Sequence, residues 1–296
     1  MDQAEQLRNI IKQQNLLQNM HHAARVITVT SGKGGVGKSN VSVNLAIQLG
    51  RLGKRVIILD ADFGLANVEV MLGIRPQYNL ADLMFRGKNV RNIISQGPEN
   101  IGFISGGSGM RELTNLDKDQ IQTIVNMMYE LDSLADIIII DTGAGISESV
   151  INLILASSEV LLVATPEPTS ITDAYALLKT LYRNPDFNLD TAKIKMIANR
   201  TQNFDEGKEL YTKLNSVVER FLNMKMEYLG AIPFDQNLLK AVMKQQPVSL
   251  AFPKAASSKA MMELALLLDN NTEIEMKHDS RGISGLFSRM FKNHGN

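Results

Sequence analysis

Eight consecutive residues carry the clearest chemistry in the chain: Gly32-Lys33-Gly34-Gly35-Val36-Gly37-Lys38-Ser39. They fit the pattern Gly-x-x-x-x-Gly-Lys-Ser/Thr, a loop that cradles phosphate. Glycines let the backbone approach phosphate oxygens and take positive φ. Successive N–H groups make an anion nest, and the helix that follows adds the positive end of its dipole. In this pattern Lys38 reaches the β- and γ-phosphates, the Ser39 hydroxyl ligates Mg²⁺, and the binding stretch runs on through Asn40. A second lysine, Lys33, directly follows the first glycine. It points to a nucleotide-dependent dimer rather than a solitary hydrolase.

Other polar residues stand where such a loop needs partners. Asp60-Ala61-Asp62 follows the apolar run Val56–Leu59. One of these carboxylates can hold a metal-bound water while the other orients the attacking water. Asp141-Thr142-Gly143-Ala144-Gly145 follows Ile137–Ile140. It has the form of a Walker-B aspartate leading into a glycine-containing switch loop, whose backbone senses the γ-phosphate. A lone strand-end aspartate more often only caps a helix; beside a phosphate loop the functional reading is the stronger one. Asn199-Arg200 ends another apolar run, and a side-chain amide can pair with adenine through its donor and acceptor together. The bland reading there is a turn asparagine. Pro233-Phe234-Asp235 follows Leu229–Ile232 and is placed to form the outer wall of the base. The expected site therefore binds ATP or ADP with Mg²⁺. Lys33, Lys38, Asp60 and Asp62 are its catalytic residues, and Ser39, Asp62 and Asp141 stand around the metal.

These residues need strands that end together. Short β-rich runs recur at Val26–Thr30, Val56–Leu59, Ile101–Ser105, Ile137–Ile140, Val160–Ala164, Ile194–Ala198 and Leu229–Ile232. Several are continuously apolar, as strands covered on both faces are. Helical patterns lie between most of them, at Gln120–Leu134, Thr172–Tyr182 and Gly207–Phe221. The alternation predicts an α/β fold, one doubly wound and mostly parallel sheet flanked by helices, over residues 25–268. Ligands in such sheets bind beyond the carboxyl ends of the strands.

Composition narrows the partners. Lys+Arg and Asp+Glu both number 31, so no global basic field draws the chain to nucleic acid. There is no cysteine, hence no disulfide, thiolate metal site or iron–sulfur cluster. The N-terminus lacks an apolar signal core, and no apolar run approaches the roughly 20 residues that span a bilayer. The expected location is the cytoplasm.

Two segments flank the domain. Residues 1–22 place Leu7, Ile10, Ile11, Leu17 and Met20 at roughly helical spacing. At the other end, a polar linker over 269–280 leads to an amphipathic segment at 281–296. There Ile283, Leu286, Phe287, Met290 and Phe291 fall at i, i+3, i+4, i+7 and i+8, flanked by Arg281, Arg289 and Lys292. A short basic amphipathic helix after a linker reads as binding an anionic membrane surface. Docking back on its own domain would hide the same stripe.

The phosphate loop, Asp60-Ala61-Asp62 and Asp141–Gly145 together resemble the deviant Walker A ATPases of the MinD/ParA group, over about Arg25 to Leu268. The resemblance implies an ATP-driven homodimer in which Lys33 reaches the partner's phosphates. Asp62 matches the group's water-orienting position, Asp60 lies in the same first switch, and Asp141 and Gly143 belong to the second. Asn199 matches the adenine-reading position. Asp2-Gln3-Ala4-Glu5-Gln6-Leu7-Arg8 resembles the N-terminus of the FlhG family (FleN, YlxH), MinD-like ATPases that control flagellar number and placement. That likeness implies that Asp2, Gln3, Ala4, Leu7 and Arg8 contact and stimulate the SRP-type GTPase FlhF. Components of the flagellar C-ring are further expected partners, and the ATP-bound form is expected at the membrane periphery. The alternatives are a MinD-type division-site ATPase, which would start almost at its first strand, and a ParA-type DNA-partitioning ATPase, which would need a basic surface.

Overall fold

A computed structural model describes residues 23–62, 67–106, 128–187, 192–270 and 282–292. The expectations for residues 1–22, and for most of the helical pattern at 120–134, lie outside the described residues. Helix is present at 128–134.

The expected strands form: β1 (Arg25–Thr30), β2 (Val56–Ala61), β4 (Gly102–Ser105), β5 (Ile137–Thr142), β6 (Glu159–Ala164), β7 (Lys193–Thr201) and β8 (Glu227–Pro233). A two-residue strand that the hydrophobic pattern does not signal, β3 (Ser95–Gln96), adds an edge. The eight strands lie in the order β3-β4-β2-β5-β1-β6-β7-β8. Every neighbouring pair is parallel except β3 with β4.

The continuous apolar runs have a physical reason in this sheet. Ile58, Ile137 and Ile139 face one buried cluster with Ile27 and Val29, while Ile57, Leu59, Ile138 and Ile140 face another with Val26. Alternate residues thus point to opposite faces, and both faces are covered. On the first lie α1 (Lys38–Arg51) and α10 (Ala256–Asn270). On the second lie α5 (Glu148–Ala156), α6 (Pro168–Arg183) and α7 (Phe204–Leu222). α6 begins four residues before the expected Thr172 because Pro168 serves as its first turn. The remaining helices are α2 (Asn67–Leu72), α3 (Leu80–Phe85), α4 (Val90–Ile93), α8 (Gln236–Met243), α9 (Val248–Ala251) and α11 (Gly282–Lys292).

α11 is the segment expected at a membrane. Here it packs against α5 and β1. Ile283, Leu286 and Phe287 are 0% exposed and Met290 is 8% exposed, within the cluster that holds Val26, Leu131 and Ala156. The apolar stripe therefore faces the protein's own core in this structure; the Phe291 side chain lies outside the described residues. One carboxylate clamps the helix start. Asp132 accepts from Ile283 N–H at 2.7 Å, Ser284 N–H at 3.1 Å and the Ser284 hydroxyl at 2.7 Å. Burial raises the Asp132 pKa to about 6, against the lowering effect of these hydrogen bonds. Arg289 Nε donates to the Ala156 carbonyl at 2.8 Å.

A buried ionic group ties the strands together on the other face of the sheet. Arg25 meets Glu159 through two bonds of 2.7 and 2.8 Å, and Lys195 Nζ meets the same carboxylate at 2.9 Å. Arg25 also donates to the Leu268 carbonyl at 2.5 Å, tying β1 to the end of α10. Burial opposes ionisation of Glu159, yet the Arg25 bonds and the charges of Arg25 and Lys195 outweigh it and hold its carboxyl below the usual range. Glu159→Gln leaves two buried cations without their anion, a loss of about 3–5 kcal/mol. The contribution is full above the unfolded carboxyl's pKa, about 4.3, and is lost as pH falls through the lower folded value. Urea unfolding should show a constant gap between wild type and variant near neutrality, closing only in strong acid.

Candidate active site

β1 is flanked by β5 on one side and β6 on the other, so chain connections leave it in opposite directions. The crevice this opens at the strand's carboxyl end is where ligands settle in such sheets. The phosphate loop occupies it. Gly37 has φ 93° and gives α1 no side-chain cap, and no acidic residue lies in that helix's first turn. The first N–H groups of α1 are thus left open for an anion. Gly32 has a second constraint: an added Cβ would overlap the backbone of Asp173 and Ala174 in α6.

Around the loop the expected carboxylates converge. Asp60 and Asp141 are register partners on β2 and β5. Lys38 Nζ lies 3.3 Å from Asp141 Oδ1, and the Ser42 hydroxyl donates to the same oxygen at 2.9 Å. Asp141 is fully buried and its Oδ2 has no hydrogen-bond partner. Burial first, and the Asp141 charge second, raise the Asp60 pKa to about 7. Asp60 accepts from the N–H groups of Asp62 at 3.1 Å and Val68 at 3.2 Å. Asn67 donates to Asp62 Oδ2 at 3.0 Å. The switch after β5 is pinned to the loop, because Gly145 N–H donates to the Ser31 carbonyl at 2.9 Å. The Thr142 hydroxyl donates to the Val29 carbonyl at 3.1 Å. Gly143 lies beside Asp62 and Val150, close enough that an added Cβ would touch both.

These groups fit a Mg²⁺ ion. The donor set is hydroxyl and carboxylate oxygen, and the buried Asp141 Oδ2 has no hydrogen-bond partner. Among the described residues no three acidic or imidazole groups cluster to hold a metal alone. Mg²⁺ keeps waters and takes phosphate oxygens beside one or two protein ligands.

The base side differs in part from expectation. Asn199 is buried; its amide donates to the Val36 carbonyl at 2.7 Å, and its Oδ1 accepts from Arg200 N–H at 2.9 Å. It acts here as a strut beneath the phosphate loop, with one N–H and one lone pair left over. Arg200 takes a left-handed φ of 59°, a strain that clusters at functional sites. Phe234 stands 56% exposed after Pro233, open to stack on a base. Asp235, expected at the base, instead caps two helices. It accepts from Asn237 N–H at 2.8 Å, and from Ser257 N–H and hydroxyl at 3.0 Å each. Lys33, expected to leave its own site, is held by its own chain: Nζ lies 3.1 Å from Glu167 Oε2 and 2.6 Å from Thr169 Oγ1.

Ser42, Asn67, Glu167 and Thr169 are site residues that motif reading passed over. Ser42 carried one signal, its place one helical turn beyond Lys38. The others carry none in the sequence.

A phosphate loop at a switch point, two in-register carboxylates and a tethered glycine switch define a P-loop nucleoside triphosphatase. The family model described as ParA, NUBPL iron-transfer P-loop NTPase, matches residues 22–268. The chain is 42% identical to antiactivator FleN of Pseudomonas aeruginosa over 249 residues, 84% of this chain and 88% of that protein. It is 33% identical to the flagellum site-determining protein YlxH of Helicobacter pylori over 271 residues, 90% of each. Among solved structures, the MinC:MinD cell division protein complex of Aquifex aeolicus superposes with a TM-score of 0.65 at 26% identity, covering 83% of this chain and 96% of that one. The chain belongs to the MinD/ParA family of P-loop ATPases, in the FlhG branch that holds FleN and YlxH.

Ser42 tests how much the buried end of the site matters. It is 0% exposed and supports Asp141 from behind. A hydrogen bond to a charged group contributes about 1.5–3 kcal/mol, so Ser42→Ala should slow phosphate release roughly 10- to 100-fold. ADP affinity by calorimetry should change much less. Unaltered turnover would mean that Lys38 alone positions Asp141.

Proposed function

We propose that this chain is a nucleotide-controlled membrane switch in flagellar assembly. With ADP it is a monomer whose α11 lies on the domain. With ATP and Mg²⁺ it dimerises through Lys33, α11 detaches, and two apolar stripes meet an anionic membrane. Ser39, Asp62 and Asp141 would hold Mg²⁺, directly or through water, and the ion would supply positive charge beside the phosphates. Lys38 draws charge from the phosphates, and Asp62, steadied by Asn67, orients the attacking water. Asn199, Arg200, Pro233 and Phe234 receive the base. Hydrolysis returns the monomer.

The observation that carries this reading is the clamp on α11. A basic amphipathic helix is covered by its own domain, and one buried carboxylate secures its first turn. Among the described residues no helix is long and apolar enough to cross a membrane. One exposed tail binds weakly; two on a dimer make the second insertion intramolecular and raise avidity by roughly 10²–10⁴. Likeness to FleN and YlxH supports control of flagellar number and placement as the purpose of the switch. Through its first 22 residues the chain stimulates an FlhF-type GTPase, and the C-ring is where flagellar components meet it. The iron transfer in the family model's description does not extend to this chain, which has no cysteine to hold a cluster.

Gly282 provides the test. Its φ is +54°, and an added Cβ would overlap the Asp132 carboxylate. Gly282→Ala should therefore open the clamp without altering the apolar stripe. Wild type should float with anionic liposomes in ATP–Mg²⁺ and not in ADP. The variant should bind in ADP at least about tenfold better than wild type, since the clamp's hydrogen bonds are to a charged group. Equal flotation of the wild type in both nucleotides would refute nucleotide gating. Deleting residues 1–22 should leave nucleotide binding intact and abolish stimulation of an FlhF-type GTPase. Undiminished stimulation by the shortened chain would remove the assigned role of that segment.

A further inference from the structure

We propose that Thr142 is a positioning residue. Its hydroxyl sets the direction of the Gly143–Ala144 peptide, and with it the N–H that the second switch offers to a terminal phosphate. The inference deepens the nucleotide reading of the site and rests on it. Thr142 is buried at the end of β5. Its Oγ1 lies 2.7 Å from the Gly143 carbonyl oxygen, 3.1 Å from that of Val29 and 3.2 Å from Thr30 Oγ1. A hydroxyl has one proton to donate. Three acceptors therefore compete for it, and the Gly143 carbonyl is the nearest.

Holding that carbonyl also aims a donor. A carbonyl and the N–H that follows it belong to one planar trans peptide and point in opposite directions. With the Gly143 oxygen drawn toward Thr142 and β1, the Ala144 N–H is turned to the other side. Ala144 is exposed. It stands beside the phosphate loop, where a Cβ added to Gly34 would lie 4.0 Å from the Ala144 methyl carbon. The next donor along, Gly145 N–H, is taken by the Ser31 carbonyl. Ala144 N–H is thus the donor this stretch of the switch has to offer.

Gly143 is an independent sign that this peptide turns. An added Cβ there would meet Val150 Cγ2 at 3.6 Å and Asp62 Oδ1 at 3.8 Å, which is ordinary contact. Its φ is not left-handed either. Neither space nor backbone calls for glycine in the conformation seen, so the freedom that glycine brings serves another orientation of the same peptide. In that orientation the Thr142 proton passes to the Val29 carbonyl or to Thr30 Oγ1, both within reach. No buried hydroxyl is stranded when the switch turns. Back in the conformation seen, the hydroxyl again holds the carbonyl in and the N–H out. A neutral hydrogen bond of this kind is worth roughly 2- to 12-fold in an equilibrium. Its loss should fall on a nucleotide that carries a terminal phosphate and spare one that does not.

The experiment is calorimetric titration of the full chain with ADP–Mg²⁺ and with the non-hydrolysable analogue AMPPNP–Mg²⁺. It compares wild type, Thr142→Val, Thr142→Ala and Thr142→Ser. The valine and alanine variants, which lack the hydroxyl, should bind the analogue roughly 2- to 12-fold more weakly than wild type. Their affinity for ADP and their melting temperature in ADP should hold. Thr142→Ser keeps the hydroxyl and should match wild type with both nucleotides. Repeating the titrations at a lower protein concentration separates the site from dimerisation, and a loss that vanishes on dilution would overturn the positioning role. Unchanged affinity for the analogue, or an equal loss for ADP and analogue, would overturn it too and leave the nucleotide site standing. Wild type that binds neither nucleotide would overturn the nucleotide reading and this inference together.

Discussion

Asp60 and Asp141 end neighbouring strands side by side, and the negative charge they concentrate governs the site. A buried carboxylate pair disfavours full ionisation, and here Asp60 is pushed to about 7 by burial and by its neighbour. Lys38 and Ser42 meet one oxygen of Asp141 and leave the other without a partner. Directly above stands a loop whose open N–H groups want an anion. The floor is thus short of positive charge and the rim short of negative charge. A magnesium nucleotide would supply both. Local rules of burial and pairing are broken here because the ligand completes them.

The sheet order makes that arrangement possible. Placing β1 between β5 and β6 brings the phosphate loop beside the switch that follows β5. It also sets the loop's first glycine against α6, which follows β6. The loop is gripped from both sides: Gly145 bonds to Ser31, and Asn199 reaches from β7 to hold the Val36 carbonyl. The glycines at 32 and 37 answer to this crowding as well as to phosphate. An added Cβ on Gly37 would come 2.5 Å from the Asn199 amide.

Much of this was legible in the sequence, and the remainder was hidden for identifiable reasons. The apolar runs mark the parallel strands because burial on both faces removes polar alternation. Gly32 to Ser39, Asp60, Asp62 and Asp141 could be found because phosphate chemistry fixes their types and spacing. Residues that act through long-range contacts left no such trace. Asp132 meets Ile283 across 151 positions, and Lys33 meets Glu167 across 134. Asp235 resembled a ligand because it ends a strand at the right edge; its hydrogen bonds to Asn237 and Ser257 show a cap. The stripe at 283–290 announced a face that needs cover, since amphipathicity reports the need for burial and not the surface that meets it. β3 is too short to make a pattern at all.

One helix touches both ends of the proposed switch. α5 begins three residues after Gly145, the glycine bonded to the phosphate loop. It ends at Ala156, whose carbonyl accepts from Arg289 of α11. Leu153 and Ala156 also lie in the cluster that covers Ile283, Leu286 and Phe287. α5 is one continuous helix of nine residues, and packed interfaces tolerate displacement poorly because interiors are dense. A shift of the switch on nucleotide exchange thus need not travel through a chain of side chains to reach the tail. In the proposed switch it would reach the α11 groove through the helix that is both the continuation of the switch and a wall of the groove. The clamp at Asp132 lies on a different segment and holds the start of α11. In the proposed switch, movement of α5 would pull against that clamp and loosen α11 from one side.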